Sequence, residues 1–177
     1  GVVVLVAIDE DGGVGVLLAR DSASGEWGQP VFYNLGGASL GLQAGGERSE
    51  VVLLIQSQAG LDSFLSSKLQ LGAEAAVAAG PVGAGAGENV SSEILTFVRS
   101  KGLYAGASLD GTVIQPASER NAAFYGSEVT ATDILVRKIV QNPHADGLRE
   151  DLARTARPAA GGDLLHARPV PSPVPPG

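Results

Sequence analysis

The amino-acid sequence predicts an α+β fold that is rich in antiparallel β-strands, with a few short helices beside the sheet. The first observation is that apolar, β-branched runs recur along residues 1–115, separated by turns that contain glycine or aspartate. Such runs are typical of short strands joined by hairpins. The second is that helical spacing of apolar residues is brief and begins only at Leu61, Phe64 and Leu65. The third is that 25 glycines accompany only 5% aromatic residues, so the core must come from Val, Leu and Ile between closely packed backbones.

The first half of the chain is predicted to contain four strands. Residues 2–8 are continuously apolar, which is typical of a strand buried on both faces. Residues 14–20 return across a glycine-containing turn as the second arm of a hairpin. Residues 27–34 form a third strand, and Pro30 indicates either an edge position or an entry bend, because proline cannot donate a ladder hydrogen bond. Residues 49–56 form the fourth strand around a run of Val, Leu and Ile.

Three more strands are predicted in the second half of the chain. They lie over residues 68–80, 93–100 and 103–115. The first of them consists of small residues, with Glu74 as its one charged residue after Lys68. The dipeptide of Asp110 and Gly111 is a hairpin signal within the last of them.

Helices are predicted around residues 61–65 and over residues 116–125 and 130–140. Gly126 is placed to end the second helix as a C-cap, because glycine adopts the left-handed conformation that this position needs. Thr132 is placed to cap the start of the third. The buried face of that third helix is predicted to contain Ile134, Leu135 and Ile139.

A change of composition after residue 141 predicts a folded domain over residues 1–141 and a C-terminal tail over residues 142–177. The tail begins with a polar helix over residues 145–157, whose acidic start and basic end suit the helix dipole. It ends in a proline-rich segment over residues 168–177. A flexible linker or anchor is the favoured interpretation of that segment, and docking of a protein partner with an SH3-type groove is the alternative.

Charge and composition exclude several classes of protein. The chain has 12 lysines and arginines against 19 acidic residues, a net charge of −7, which excludes nucleic acid as a partner. The same balance excludes purely electrostatic membrane binding, so any lipid affinity must come from apolar contact or one local basic spot. The absence of cysteine excludes disulfides and thiolate metal sites. No apolar run is long enough to span a bilayer.

The residues that catalysis needs are missing from the predicted domain. The two histidines of the chain, His144 and His166, both fall in the predicted tail. Their position excludes a Ser-His-Asp triad or a histidine metal site in the core. Carboxylates such as Asp9 and Asp110 lie in turns, where aspartate is favoured for backbone reasons. The glycine-rich segments lack the spacing of a nucleotide site. We therefore predict no enzyme, no catalytic residue, no metal and no cofactor; a hydrolase that uses carboxylates alone is the weakest alternative.

Several motifs in the chain resemble one known family. They are WGQPVF at 27–32, GGASLGLQAGG at 36–46, LSSKLQLGAEA at 65–75, SKGLYAGASLDG at 100–111 and NAAFYG at 121–126. Their order along residues 13–137 resembles that of the SYLF family of lipid-binding domains. The alanine-rich form, which ends in a proline-rich tail in place of an SH3 domain, is similar to the bacterial members of the family.

The resemblance carries expectations about fold and function. It implies a barrel-like antiparallel sheet and a non-enzymatic module that binds phospholipid or phosphoinositide. It also implies a membrane-associated protein of the cell envelope, periplasmic or secreted, with phospholipid or the membrane surface as its partner. An envelope structural or protein-interaction domain is the alternative, because some eukaryotic members bind actin.

Seven residues are the candidates for lipid contact. The aromatic candidates for apolar contact are Trp27, Phe32, Tyr33 and Tyr104, and the basic candidates for phosphate contact are Lys68, Arg99 and Lys101. Aromatic side chains supply apolar area with a polar tip that suits a membrane interface. Packing in the core is the alternative for each aromatic residue, and simple solvation is the alternative for each lysine.

Overall fold

A computed structural model describes residues 2–9, 12–36, 49–71, 77–79, 94–100, 103–106 and 111–156 of the chain. Nine strands among these residues form one sheet, in which every pairing is antiparallel. The strands are β1 (Val2–Asp9), β2 (Gly12–Ala19), β3 (Val31–Gly36), β4 (Ser49–Ile55), β5 (Lys68–Gln70), β6 (Val77–Ala79), β7 (Ile94–Ser100), β8 (Leu103–Gly106) and β9 (Val113–Pro116).

The strands follow the order β6-β5-β9-β3-β2-β1-β4-β7-β8 across the sheet. β1 lies between β2 and β4 and pairs with each of them over seven or more residues. This pairing confirms the predicted hairpin of residues 2–8 and 14–20, and the antiparallel α+β class is confirmed with it. Within the described part of the chain, no pairing joins the end strands β6 and β8, so the predicted barrel-like closure is not confirmed.

The prediction that residues 27–34 lie on an edge strand is wrong, whereas the alternative of an entry bend at Pro30 agrees with the start of the strand. β3 begins only at Val31 and lies inside the sheet, between β2 and β9. Pro30 stands just before the strand, where its missing N–H removes no ladder hydrogen bond. Trp27 forms an isolated bridge with Arg20 and is not part of β3.

Two predicted strands each divide into a pair of shorter ones. Residues 68–80 form β5 and β6, which pair with each other. Residues 103–115 form β8, beside β7 at one end of the sheet, and β9, which pairs with β3 and β5. Gly111, shortly before β9, adopts a φ of 80°, a left-handed conformation that glycine adopts without strain. The N–H of Gly111 donates to the carbonyl oxygen of Leu71 at 2.6 Å and so extends the β5–β9 pairing.

The helices are α1 (Gln58–Phe64), α2 (Ser118–Tyr125) and α3 (Asp146–Thr155), with a π-helical segment (Asp133–Arg137) and a 3-10 turn (Pro143–Ala145). α1 and α2 confirm two predicted helices, and Gly126 ends α2 in the left-handed conformation as predicted. The third predicted helix, over residues 130–140, is shorter and widens into the π-helical segment. Its capping hydrogen bonds come from Thr130, so the prediction of Thr132 as the N-cap is wrong.

The core lies on one face of the sheet, where inward-pointing side chains alternate along β2, β3 and β4. Its largest fully buried members include Leu17, Val31, Tyr33, Val51, Leu53, Ile55, Phe64, Leu69, Ile114 and Ile134. The ring of Phe64 in α1 meets the ring of Tyr33 edge-on, with 5.8 Å between the ring centres. The Tyr33 hydroxyl donates to the carbonyl oxygen of Phe64 at 2.8 Å, so this buried polar group is satisfied.

α2 is attached to β3 by the side chain of Asn121. Its Oδ1 accepts from the N–H of Phe32 at 2.8 Å, and its Nδ2 donates to the carbonyl oxygen of Phe32 at 3.1 Å. The rings of Phe32 and Phe124 pack edge to face, 5.1 Å apart. The buried side-chain amide of Asn121 therefore bonds the backbone of Phe32 as a neighbouring strand would.

The first part of the predicted tail also contacts the sheet region. Asn142 donates from Nδ2 to the carbonyl oxygen of Phe124, and its N–H donates to Oε1 of Gln29. From α3, Arg149 donates from Nε to the carbonyl oxygen of Trp27 at 2.7 Å. The polar helix predicted over residues 145–157 begins at Asp146, and it is tied to the loop between β2 and β3. The predicted proline-rich segment lies outside the described residues.

We expect Asn121→Ala to lower the free energy of unfolding by about 1–3 kcal/mol, because the N–H of Phe32 loses its acceptor in a buried place. Chemical unfolding in urea measures the change. Arg120→Ala, at an exposed position of the same helix, is the matched control and should change stability by less than about 0.5 kcal/mol. Equal effects of the two substitutions would contradict the role given to Asn121.

Candidate functional site

A cleft of about 350 Å³ opens at the end of the sheet where β2 and β4 finish. Three segments line it: residues 19–22 with Gly28, residues 55–58 with Leu61, and residues 134–136 with Lys138. Val2, the first residue of β1, pairs with both Ala19 and Ile55, so the cleft lies where β1 begins. Ile134 and Leu135 are buried and line it with apolar surface.

The turn after β2 forms the first wall of the cleft. The carboxylate oxygen Oδ1 of Asp21 accepts from the N–H groups of Ala23 and Ser24, at 2.9 and 3.0 Å. Gly25 adopts a φ of 73°, and its carbonyl oxygen accepts from Nε of Arg20 at 2.8 Å. These bonds explain why the sequence Arg-Asp-Ser-Ala-Ser-Gly forms a fixed turn here.

The π-helical segment forms the opposite wall. The Thr130 hydroxyl donates to Oδ2 of Asp133 at 2.7 Å and accepts from the Asp133 N–H at 3.2 Å, a reciprocal cap. The segment ends at Lys138, which has a φ of 54° and is the one non-glycine residue with positive φ in the described part of the chain. Single left-handed residues of this kind are uncommon and end a helix abruptly.

The end of the π-helical segment at Lys138 exposes two apolar side chains beside two basic ones. Val136 is 58% exposed and Ile139 is 64% exposed. Arg137 and Lys138 stand between them in the sequence and are exposed as well. We call these four residues, 136–139, the exposed patch. The prediction that Ile139 shares the buried face of Ile134 and Leu135 is wrong, because the wider π turn and the left-handed residue rotate it outward.

An ion pair crosses the mouth of the cleft. Nζ of Lys138 lies 2.8 Å from Oδ2 of Asp21, and the two residues are 117 positions apart in the sequence. The hydrogen bond from Lys138, together with those from the N–H groups of Ser24 and Ala23, holds the pKa of Asp21 far below its ordinary value of 3.8. Asp21 is therefore charged at any physiological pH.

Two of the seven residues predicted for lipid contact are buried. Trp27 is 5% exposed and Tyr33 is 1% exposed, and Phe32 is half-buried against α2. These positions match the alternative that aromatic residues pack in the core. Burial raises the pKa of Tyr33 well above its ordinary value of 10.0.

Three of the other four predicted residues lie away from the cleft, and the fourth is not described. Lys68 is exposed on β5, while Arg99 and Tyr104 are register partners on β7 and β8, in the other half of the sheet. Lys101 lies outside the described residues. The structure thus brings Arg99 and Tyr104 together and keeps them apart from Lys68. None of the described candidates lines the cleft, and a lipid contact at the seven positions stays a prediction.

Sequence reasoning missed the residues that do line the cleft. Asp21 and Lys138 are far apart in the chain, and no local pattern pairs them. The sequence does contain one sign of the exposed patch. Residues 134–140 read Ile-Leu-Val-Arg-Lys-Ile-Val, in which two basic residues interrupt an apolar run. Helical spacing alone places Ile139 in the core, and only the backbone conformation at Lys138 reverses that assignment.

Comparison with known proteins assigns a family to this fold. The model of the Ysc84 family, described as "Las17-binding protein actin regulator", matches residues 36–155. The chain belongs to the Ysc84 family, which is the SYLF family. The match confirms the family indicated by the motifs of the sequence, and it includes the whole of the exposed patch as well as α3.

Several full-length relatives share this region. "SH3 domain-containing YSC84-like protein 1" of Bos taurus is 34% identical over 163 residues, which are 89% of this chain and 48% of the relative. The protein of the same name in Homo sapiens is 32% identical over 163 residues, 89% of this chain and 47% of its own length. "LAS seventeen-binding protein 3" of Saccharomyces cerevisiae is 34% identical over 160 residues, 85% of this chain and 35% of the relative. The chain thus spans less than half the length of these relatives.

The described residues contain neither a membrane-spanning helix nor a cluster of metal ligands. No helix among them has the length and apolar character needed to cross a bilayer. No group of three or more His, Cys, Asp or Glu side chains among them is arranged to hold a metal ion.

The cap of the π-helical segment should give stability a defined pH dependence. The N–H and hydroxyl of Thr130, and then Arg137, lower the pKa of Asp133 below its ordinary value of 3.8 in the folded protein. Its stabilising contribution is therefore fully present above pH 3.8 and is lost as the pH falls through the lower folded value. We expect Asp133→Asn to reduce the free energy of unfolding at pH 7, and the difference from the unsubstituted protein to narrow progressively below the ordinary pKa. Urea unfolding of both proteins from pH 7 to pH 3 measures this; a difference that is the same at every pH would contradict it.

Proposed function

We propose that this chain is a non-enzymatic phospholipid-binding module that meets an anionic membrane with the exposed patch and the cleft beside it. The observation that carries the proposal is the exposure of Val136 and Ile139 next to Arg137 and Lys138. An apolar pair flanked by cations matches a bilayer surface, which presents anionic headgroups above an apolar interior.

The apolar part supplies affinity that does not depend on salt. Large aliphatic side chains are favoured in the interior of a bilayer by about 1.5–3 kcal/mol each when they are fully transferred from water. Val136 and Ile139 are more than half exposed and gain little of this in the isolated protein. Partial insertion of both is therefore favourable and requires no unfolding.

The basic part supplies orientation. The chain carries a net charge of −7, so a membrane with anionic lipids repels most of its surface. Arg20, Arg137 and Lys138 lie at or beside the cleft, and these three cations outnumber the two carboxylates, Asp133 and Asp21, that pair with Arg137 and Lys138. Each cation close to an anionic surface contributes about 1 kcal/mol, and this attraction fades within a Debye length. The domain would thus approach the membrane with this end first.

The cleft is large enough for part of a headgroup. Its volume of about 350 Å³ lies at the lower end of the range for small-ligand sites. Its buried side is apolar, through Ile55, Ile134 and Leu135, whereas the half-buried Asp21 and the exposed Lys138 provide its polar lining. A ligand with a charged end and an apolar end suits this division.

A location at the cell envelope, expected from the resemblance to bacterial members, is part of the same proposal.

We expect the double variant Val136→Ser, Ile139→Ser to weaken binding to vesicles of phosphatidylcholine and phosphatidate by about tenfold or more, because it removes the apolar contact. Co-sedimentation at low and at high salt measures the change. The unsubstituted protein should keep part of its binding at high salt, and the variant should keep almost none.

Leu95→Ser is the matched control for this experiment. Leu95 is 41% exposed and lies on β7, on the sheet face opposite to the core, because its neighbour Ile94 faces the core. Binding should be unaffected by this substitution. Loss of binding in the control, or normal binding in the double variant, would contradict the proposal for the patch. No binding of the unsubstituted protein to any vesicle would contradict phospholipid binding altogether.

Protein binding is the second candidate function, and the family description favours it. The family is described as a Las17-binding actin regulator, and one yeast relative is named for binding LAS seventeen. Co-sedimentation with actin filaments tests whether this chain shares such a role. Filament binding that is lost in the Val136→Ser, Ile139→Ser variant would assign the exposed patch to a protein partner. Filament binding that survives would place that function on another surface.

A further inference from the structure

One half of the sheet face that points away from the core is apolar and only partly covered. On β4, the side chains of Val51, Leu53 and Ile55 point to the core and are at most 1% exposed. Val52 and Leu54 alternate with them along the same strand and are only half-buried. Since successive side chains of a strand point to opposite faces, the described residues cover one face of β4 fully and the other only in part.

The register of β4 against β7 arranges this second face as three pairs of positions, two apolar and one charged. The pairs are Leu54 with Leu95, Val52 with Phe97, and Glu50 with Arg99. We call these six residues the outer face. Leu95 is 41% exposed and Phe97 is half-buried. The solvated face of an antiparallel sheet is normally polar, so an apolar one indicates an interaction surface.

The neighbouring half of the same face, over β2 and β3, is covered. Leu18 of β2 lies in the same row across the sheet as Leu54, and it is fully buried. The ring of Phe32 on β3 packs against Phe124 of α2. Because α2 stands over that half, a flat partner can approach the sheet only over β4 and β7.

We propose that the outer face binds a second copy of this chain, in a symmetric dimer whose twofold axis runs along the strands between β4 and β7. This rotation lays β4 of one copy over β7 of the other at the same level along the strands. Leu54 of one copy then faces Leu95 of the second copy, and Val52 faces Phe97. The two α2 helices lie at the far sides of the dimer, where they do not collide.

The charged pair favours a second copy over a membrane as the partner. The same rotation places the Glu50 position of each copy over the Arg99 position of the other, so that opposite charges face each other twice. A surface that complements itself in this way is what a twofold interface requires. A bilayer with anionic lipids, in contrast, would repel the exposed Glu50 and a chain of net charge −7.

The size of the outer face predicts a weak dimer. The rotation overlaps β1, β4, β7 and β8 of each copy. Strands about 4.8 Å apart, with about 3.3 Å per residue along β4 and β7, give an area of about 450 Å² per copy. A total of about 900 Å² is below the size of a stable interface and typical of a transient one. The chain should therefore dimerise reversibly and only at high concentration.

Sedimentation equilibrium over a wide range of protein concentrations tests the dimer. The average mass of the unsubstituted protein should rise from 17.8 kDa towards twice that value. Leu95→Glu should weaken the association by about tenfold or more, because it places a charge against an apolar side chain of the second copy. Gln115→Glu is the matched control, since it adds the same charge to an exposed position of β9, outside the outer face. It should leave the association unchanged.

Charge reversal tests the arrangement of the two copies. Glu50→Lys alone and Arg99→Glu alone should each weaken self-association, because like charges then face each other across the axis. An equimolar mixture of the two variants should associate more tightly than either variant alone, since both facing positions again carry opposite charges. Within each variant chain the two positions carry like charges, so this recovery cannot arise inside one chain. Thermal unfolding of each variant establishes that it is folded.

Three results would overturn the inference. The first is an unsubstituted protein that stays monomeric at every concentration; if Leu95→Glu then weakens vesicle binding, a membrane occupies the outer face instead. The second is an equal effect of Leu95→Glu and Gln115→Glu, which would assign the association to bulk charge. The third is a mixture of the charge variants that associates no better than its components.

The inference does not rest on the proposed phospholipid binding, because the exposed patch shares no residue with the outer face. A protein that dimerises and binds no vesicles contradicts the proposed function alone. A monomeric protein that binds vesicles through the exposed patch contradicts the dimer alone. The vesicle experiments with Leu95→Ser belong at protein concentrations below the dissociation constant of the dimer, where self-association does not affect them.

Discussion

The register of β1 between β2 and β4 is the constraint on which the other features of this fold depend. Because side chains alternate between the faces of a sheet, a shift of one residue would turn Leu17, Leu53 and Ile55 away from the core. The same register brings the ends of β2 and β4 side by side at the start of β1. The turn after β2 and the segment before α1 then leave the sheet next to each other, and the cleft forms between them.

The second wall of the cleft depends on a conformational exception. A regular α-helix through residues 131–140 would present a single apolar stripe to the core. The π-helical widening and the left-handed Lys138 instead divide the apolar residues, so that Ile134 and Leu135 stay buried while Val136 and Ile139 reach solvent. Such departures from regular geometry are enriched at functional positions, since other contacts must hold them in place. Here the reciprocal cap of Thr130 and Asp133 and the ion pair of Lys138 supply those contacts.

Sequence patterns predicted the family, the antiparallel class and the positions of α1 and α2. These features depend on local periodicity and on glycine at a helix end, which are visible within a short window of sequence. The neighbours of β3 and the separation of β8 from β9 depend on pairings between distant segments, and a local pattern cannot reveal them. Pro30 shows the difficulty, because a proline at the entry to a strand and a proline within an edge strand look alike in the sequence, so both interpretations stay open without the structure.

The candidate site was less accessible to sequence reasoning than the fold. Aromatic residues were chosen for their chemistry, yet Tyr33 and Trp27 are used inside the protein, Tyr33 through a buried hydroxyl bond to α1 and Trp27 through its carbonyl oxygen to α3. The aliphatic and basic side chains of residues 136–139 gave only the weaker signal of two basic residues inside an apolar run. Their exposure follows from backbone angles that no residue type among them favours.

The position of Val2 has a practical consequence for this domain. Since Val2 lies between Ala19 and Ile55, polypeptide joined ahead of it emerges beside the mouth of the cleft. An affinity tag or fused fluorescent protein at that end would compete for space with a bilayer, and it would report weak binding for a steric reason. A label placed on Arg120, an exposed helix position that does not line the cleft, avoids that end of the sheet.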